Sequence, residues 1–476
     1  MIARRKEMQE LNELYASNKA ELVAVYGRRR VGKTYLIDET FRDRITFRHA
    51  GMSPAGKEKK GMLKKQLDAF YYSLLRSGMP ERKKPKSWLE AFYLLETFLD
   101  GQRDGSRQLV FIDELPWLDT QRSDFMTAFE NFWNGWACYH NDLMVIVCGS
   151  SNSWILDNLI NNHGGLYNRV TYEMKLAPFT LRECEQLLEE KDVGLTRYDI
   201  AQAYMAVGGI PYYFGYFKRG NSLAQNLDYL FFSQGAKLSD EFDRLFDSVF
   251  DQPEKMKSIV RLLYTRKAGF SRGELLDKLN MTEGETFSKC LKALLASEFV
   301  VKYVPFGNRE NQFLYRLADP FCLFYLHFVD GHPALPENFW LQNLESQSVA
   351  SWCGLAFETV CFNHIRQIKN ALGIEGVSTM QSAWIKRSPD TDGMQIDLII
   401  SRRDHIVNLC EIKFSIHPFT VDQKYYNIIL DRAAEIKEHV PPTTAIHNTL
   451  ISTFGVKENR YSKVFTNVIT LEDLFT

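Results

Sequence analysis

Residues 27–34 read Gly-Arg-Arg-Arg-Val-Gly-Lys-Thr, which fits the spacing G-x-x-x-x-G-K-[ST]. Gly27 and Gly32 free the backbone to curl, so that N–H groups across Arg28, Arg29, Arg30 and Val31 point at an anion. The Lys33 ammonium reaches β- and γ-phosphate oxygens and the Thr34 hydroxyl is a magnesium ligand. Tyr35 follows in the first turn of a helix whose positive end faces the phosphates. Further on, Asp113 ends an apolar run and Glu114 follows it. A carboxylate at Asp113 holds the magnesium shell, and Glu114 beside it orients or deprotonates an attacking water. In this order, the two sets predict binding of ATP and Mg2+ followed by hydrolysis. A chance glycine loop with an unrelated acidic strand end would have to produce both coincidences at once.

Two further places bear on the same reaction. Ser150, Ser151 and Asn152 follow a third apolar run, where a polar side chain either senses the γ-phosphate or caps a helix. Arg169, in the stretch Gly-Gly-Leu-Tyr-Asn-Arg-Val at 164–170, is either a surface arginine or an arginine finger. In the second case its guanidinium spreads charge over the transferred phosphoryl group, in cis or across subunits.

A second chemistry is written near the C-terminus. Asp397 begins one strand-like run and Glu411-Ile-Lys413 lies on the next, across a turn at 401–404. Glu411 and Lys413, two residues apart, share one face, while Ile396, Leu398, Cys410 and Ile412 fill the other. Carboxylates at Asp397 and Glu411 can hold magnesium beside a phosphodiester, with Lys413 orienting water or stabilising developing charge. Glu358, on a helical stretch, adds a third carboxylate. The helix after the hairpin offers Gln423 and Lys424. A solvated, mixed-charge hairpin face is the plain alternative.

The elements that must position these residues can be read from periodicity. Met8, Leu11, Leu14 and Tyr15 share a helical face, and residues 21–26 (ELVAVY) form a buried strand that runs into the glycine turn. Residues 109–112 and 143–148 are two more buried strands, separated by helical stretches, as a parallel sheet covered on both faces requires. From about 180 to 250 the pattern is helical, broken at Gly208-Gly-Ile-Pro211. Segments 256–264, 271–279 and 283–297 are short amphipathic helices, and 299–304 and 312–317 are strands: three helices and a two-stranded wing. A linker at 331–338 leads to a helical stretch at 350–372 and the hairpin.

A chain of 476 residues exceeds one ordinary core, and its 45% hydrophobic and 25% charged residues suit packed globular domains. The net charge of −1 supplies no general field for nucleic acid, so DNA or RNA would be held by local cations: Lys289, Lys292, Arg309 and the basic run at 57–65. Eight scattered cysteines without a CxxC pair predict a reducing compartment and no structural zinc. The charged N-terminus lacks a signal-peptide core, and no apolar run is long enough to span a bilayer. The reading is a cytoplasmic protein with no membrane association.

The Arg4…Glu7 helix, GRRRVGKT, LVFIDELPWL, CGSSNSWI, GGLYNRV and VGGIPYYF together resemble the prokaryotic AAA-like ATPases often called the archaeal ATPase family, over most of residues 1–320. That family is similar to the STAND branch of P-loop ATPases, and its members commonly end in a DUF234-type domain. The resemblance implies that Arg4 touches the nucleotide and that 208–211 is the nucleotide-facing turn of a lid. The set Glu358, Asp397, Glu411 and Lys413 resembles the PD-(D/E)xK nuclease superfamily, although Ile396 stands where the superfamily's proline would be. The expected fold is therefore α/β and multidomain: a P-loop NTPase parallel sheet (1–179), a helical lid (180–250), a winged helix (251–330) and a restriction-endonuclease-like α/β domain (331–476). The expected function is an ATP-driven switch controlling a Mg2+-dependent nuclease. The alternative is a STAND-type scaffold whose terminal domain binds nucleic acid or a protein partner without cleaving. A transporter ATPase is disfavoured, since no ABC-type LSGGQ-like signature is present. Monomer and oligomer are both compatible with the sequence.

Overall fold

Three segments of the chain, ELVAVY, QLVFID and LMVIVCG, are buried at every position, the pattern of strands covered on both faces. In the computed structural model, which describes residues 3–53, 61–120, 123–161, 164–250, 252–331, 336–386 and 394–476, they become β1 (Glu21–Tyr26), β3 (Gln108–Asp113) and β4 (Leu143–Gly149). Together with β2 (Phe47–Ala50) and β5 (Tyr172–Lys175) they form one sheet in the order β2-β3-β4-β1-β5. Every pairing in it is parallel. Tyr26 is level with Gly149 and Ile112 with Val147, so the chain leaves β1, β3 and β4 along one edge. Gly27, Glu114 and Ser150 are the residues it meets there. Parts of the basic run at 57–65 and of the linker at 331–338 lie outside the described residues.

This sheet belongs to the first of two units, Met1–Pro178 with Asp243–Pro253 and Lys289–Ser297. Its core is aromatic: Phe70, Trp88, Phe92, Phe125, Phe129 and Phe132 come from the helices Met62–Arg76, Trp88–Gly101 and Phe125–Gly135. Trp88 meets Phe125 edge-on at 4.9 Å. Burying each such ring contributes about 1.5–3 kcal/mol, which anchors the sheet that carries the loops.

The second unit comprises Phe179–Phe242, Glu254–Ser288 and Glu298–Thr476. It opens on the helices Leu181–Glu190 and Arg197–Val207, each started by a reciprocal capping pair, Thr180 with Glu183 and Thr196 with Asp199. Gly208 ends the second helix and Pro211 opens the next, Pro211–Phe214. Between them Gly209 lies so near Phe179 that a Cβ would stand 1.9 Å from the Phe179 carbonyl oxygen. The stretch read as three helices and two strands contains the helices Pro253–Tyr264, Arg272–Lys278 and Glu285–Ala296 and an antiparallel pair, β6 (Val300–Tyr303) and β7 (Leu314–Leu317).

The C-terminal sheet has five strands: β8 (Thr379–Lys386), β9 (Met394–Arg402), β10 (Ile406–Lys413), β11 (Ala445–Ser452) and β12 (Asn467–Thr470), in the order β12-β11-β10-β9-β8. β8, β9 and β10 are antiparallel, whereas β10, β11 and β12 are parallel. The helix Gln423–Glu438 makes the crossover that the parallel pair β10–β11 needs. All eight cysteines carry thiols, and all but Cys138 are buried. Among the described residues no helix is long and apolar enough to cross a membrane.

Candidate functional site

β1 ends at Tyr26, and the chain turns at Gly27 under Leu176. A Cβ on Gly27 would lie 2.2 Å from the Leu176 carbonyl oxygen, and the Leu176 N–H donates to the Tyr26 carbonyl at 2.7 Å. Arg28 and Val31 are buried. Arg30 and Gly32 take left-handed φ values of 71° and 89°, and the helix Lys33–Phe41 opens from Gly32 without a side-chain cap. Its first N–H donors therefore have no intrahelical acceptor.

The Lys33 ammonium, buried at 6% exposure, donates to the carbonyls of Gly27 at 2.9 Å and Arg28 at 3.1 Å and to Ser150 Oγ at 3.4 Å. Burial lowers its pKa, against the pull of the Glu114 and Asp113 carboxylates. The Thr34 hydroxyl donates to Asp113 Oδ2 at 2.7 Å, and Asp113 Oδ1 accepts the Glu114 N–H at 2.9 Å. Glu114 has a φ of 47°. Its Oε2 accepts the Ser150 N–H at 3.0 Å and its Oε1 the Ser150 hydroxyl at 2.6 Å.

Of the three polar residues after β4, Ser150 engages Glu114 and Lys33, while Asn152 accepts the Gly27 N–H at 2.9 Å and donates to the Ala296 carbonyl at 3.0 Å. Ser151 makes no capping bond. Arg4 pairs with Glu7 at 3.1 Å and donates to the Ala177 carbonyl. Tyr35 and Arg169 are exposed. Arg29 Nη1 is buried without a hydrogen-bond partner. That orphaned donor, the open helix start and the Thr34–Asp113 pair fit a polyphosphate tail accompanied by a divalent cation.

In the second unit the β9–β10 register sets Cys410 opposite Leu398, and continuing it places Glu411 opposite Asp397. The structure also brings Glu358 and Lys413 to this place, together with four residues outside the D…ExK pattern. Lys267 donates to Glu358 Oε1 at 2.5 Å and lies 3.7 Å from Asp397 Oδ1. Arg316, over the Phe362 ring at 3.9 Å, acts on Glu358 from another side. Glu411 is held by Lys413 at 2.7 Å, by Arg432 at 2.5 Å and by the Tyr425 hydroxyl.

Burial, and then the Asp397 charge, push the Glu358 pKa up to about 7, with Lys267 and Arg316 pulling the other way. Asp397 is raised by burial and by Glu411. Gln423 and Lys424 are exposed, so the helix Gln423–Glu438 reaches the cluster through Tyr425 and Arg432 instead. Those two share a face with Ile429 and Ile436, and an arginine on that apolar stripe was a readable signal.

Among the described residues no three Asp, Glu, His or Cys side chains stand where they would share a metal ion. The cations at this cluster are side chains. In this arrangement Glu411 is paired with Lys413 and Arg432, and Asp397 lies beside Lys267. Elsewhere, Lys292 is engaged with Asp157 at 2.5 Å, and Arg309 is exposed.

An uncharacterised protein of Methanocaldococcus jannaschii is 22% identical over 418 residues, 87% of each chain. Among solved structures, a Walker-type ATPase of Pyrococcus abyssi superposes with a TM-score of 0.46 at 18% identity, covering 68% of this chain and 96% of its own. The ORC2 protein of Aeropyrum pernix, solved with ADPNP and ADP, gives 0.40 at 14%, covering 73% and 96%. The model of an ATPase domain predominantly from Archaea matches residues 1–217, so this part of the chain is of the archaeal ATPase type.

Proposed function

We propose that the chain is an ATP-hydrolysing switch whose nucleotide state controls a nuclease-like C-terminal domain. The observation that carries the first half is the meeting of Lys33, Thr34, Asp113 and Glu114 at one sheet edge, within a matched ATPase domain. In this reading the Lys33 ammonium exchanges its carbonyl partners for phosphate oxygens. Thr34 and Asp113 would hold magnesium, which when bound would neutralise charge on the phosphates. Glu114 releases one of its two Ser150 bonds to orient the attacking water and take its proton. Arg4 contacts the nucleotide, and Arg169 serves as the arginine finger. Residues 180–250 act as the lid, 251–330 as a winged helix and 331–476 as the PD-(D/E)xK-like domain.

The test is ATP turnover together with cleavage of mixed single-stranded and duplex DNA and RNA, with and without ATP. Lys33→Ala should lose ATP binding, and Asp397→Ala should lose cleavage while keeping turnover. A wild-type protein that cuts nothing in any nucleotide state sinks the nuclease half.

The engagement of Glu358 and Glu411 by side-chain cations favours a second reading, a STAND-type scaffold whose terminal domain binds nucleic acid or a protein without cutting. In that case Glu411→Ala and Lys413→Ala leave binding intact.

A further inference from the structure

Lys267 stands in the turn between the helix Pro253–Tyr264 and Phe270. The turn is fixed on both sides of it. The Gly269 N–H donates to the Arg266 carbonyl at 2.7 Å, and the Tyr303 hydroxyl donates to the Ala268 carbonyl at 2.7 Å. Phe270 and Tyr315 exchange backbone bonds at 2.9 and 2.8 Å. Gly269, at φ 78°, has Tyr315 so close that a Cβ would lie 2.1 Å from its carbonyl oxygen. Arg266 is spent locally, over the Phe270 ring and on Glu274. What the turn projects is therefore one ammonium, placed between Glu358 and Asp397.

Two carboxylates as enclosed as these, with side chains 10% and 14% exposed, repel each other unless a cation lies between them. Lys267 is that cation, and a divalent ion binding both carboxylates has to displace it. Its side chain is 40% exposed, against 20% for Arg432 on Glu411. It is also a flexible, strongly hydrated point charge, so of the cluster's cations it leaves for water most easily.

Resting on the nuclease-like reading of this domain, we propose that Lys267 is a tethered counter-cation that closes the Glu358–Asp397 pair to divalent metal, and that withdrawal of its turn opens the site. The disagreement between a carboxylate set of nuclease type and the absence of a three-ligand metal seat among the described residues then reflects a closed state.

The test is calorimetric titration of the nucleotide-free full chain with MnCl2, for wild type, Lys267→Met and Lys267→Met/Asp397→Asn. The phosphate-loop carboxylates contribute equally to all three. Lys267→Met should tighten Mn2+ binding by about tenfold or more, since a like charge within a few ångströms has been removed, and Asp397→Asn should reverse the gain. Should Lys267→Met fail to fold, Lys267→Gln is titrated in its place, with the same expectation. Unchanged affinity overturns the proposal, as does loss of cleavage in Lys267→Met where wild type cuts, because Lys267 would then belong to the reacting machinery. Tighter metal binding with no cleavage by any variant upholds the gate and removes the nuclease reading. Wild-type cleavage with Mn2+ affinity unmoved by Lys267→Met does the opposite.

Discussion

Glu114 is the residue on which hydrolysis, as distinct from nucleotide binding, depends in this reading. Its backbone is left-handed, its carbonyl leaves no room for a Cβ at Gly51, which would lie 2.5 Å away, and both carboxylate oxygens are engaged by Ser150. It is therefore a placed group, not a mobile surface acid. Glu114→Gln keeps the shape and one acceptor oxygen but cannot take a proton. ATP affinity should survive, while turnover falls by about a hundredfold or more, the usual weight of a positioned general base. Phosphate release measured beside nucleotide affinity checks this, and undiminished turnover removes Glu114 from the base role. The phosphate loop was legible because its groups are eight consecutive residues whose spacing is itself the signal. Lys267 was not, since it meets Glu358 across 91 positions through tertiary packing that no local pattern encodes.

In the first sheet, strands were legible where burial at every position leaves an unbroken apolar run. β1, and the greater part of β3 and β4, stood out as unbroken apolar runs. β2, with its alternately exposed FRHA, the edge strand β5 (YEMK) and the polar β11 (AIHNTLIS) gave no such run, because neighbouring strands, not their own composition, hold them in the sheet. A joint between helices carries a prediction of its own. His364 caps the helix Gln347–Asn363. Its Nδ1–H donates to the Val360 carbonyl at 2.8 Å, and its Nε2 accepts the Leu181 N–H at 2.9 Å. Leu181 is the first residue of the helix Leu181–Glu190, so this bond satisfies an otherwise orphaned donor.

Burial lowers the His364 pKa from 6.5 to about 4, with the Val360 carbonyl pulling the other way, and the Tyr204 ring lies edge-on at 5.1 Å. The unfolded chain takes up this proton near pH 6.5, whereas the folded chain resists it until about pH 4. The stabilisation is therefore complete above 6.5 and lost as pH falls between those values, by about 3 kcal/mol in all. Urea unfolding of wild type and His364→Gln at several pH values should show the difference between them shrinking by that order on acidification; a constant difference would rule out titration of His364.

At the scale of the whole molecule, a near-neutral chain of 58 basic and 59 acidic residues has no long-range field with which to join its parts, so the coupling proposed above would have to run through bonds and packed elements. The helix Glu285–Ala296 offers such a route: its residues from Lys289 onward belong with the first unit and the preceding ones with the second. Asn152 ties the Gly27 N–H, at the start of the phosphate loop, to the carbonyl of Ala296, the last residue of that helix. In the proposed switch, a nucleotide that shifts the loop would act on the last residue of that helix through Asn152. Removing the link should separate the two activities. Asn152→Ala leaves Lys33, Thr34, Asp113 and Glu114 in place, so ATP turnover should fall by about tenfold at most, the cost of one buried polar link. The dependence of cleavage and of C-terminal Mn2+ affinity on ATP should disappear. Both quantities are measured with and without a non-hydrolysable ATP analogue in wild type and variant. An ATP response that persists in Asn152→Ala means the signal travels by another path, and no response even in wild type means that the ATPase and the carboxylate cluster work independently.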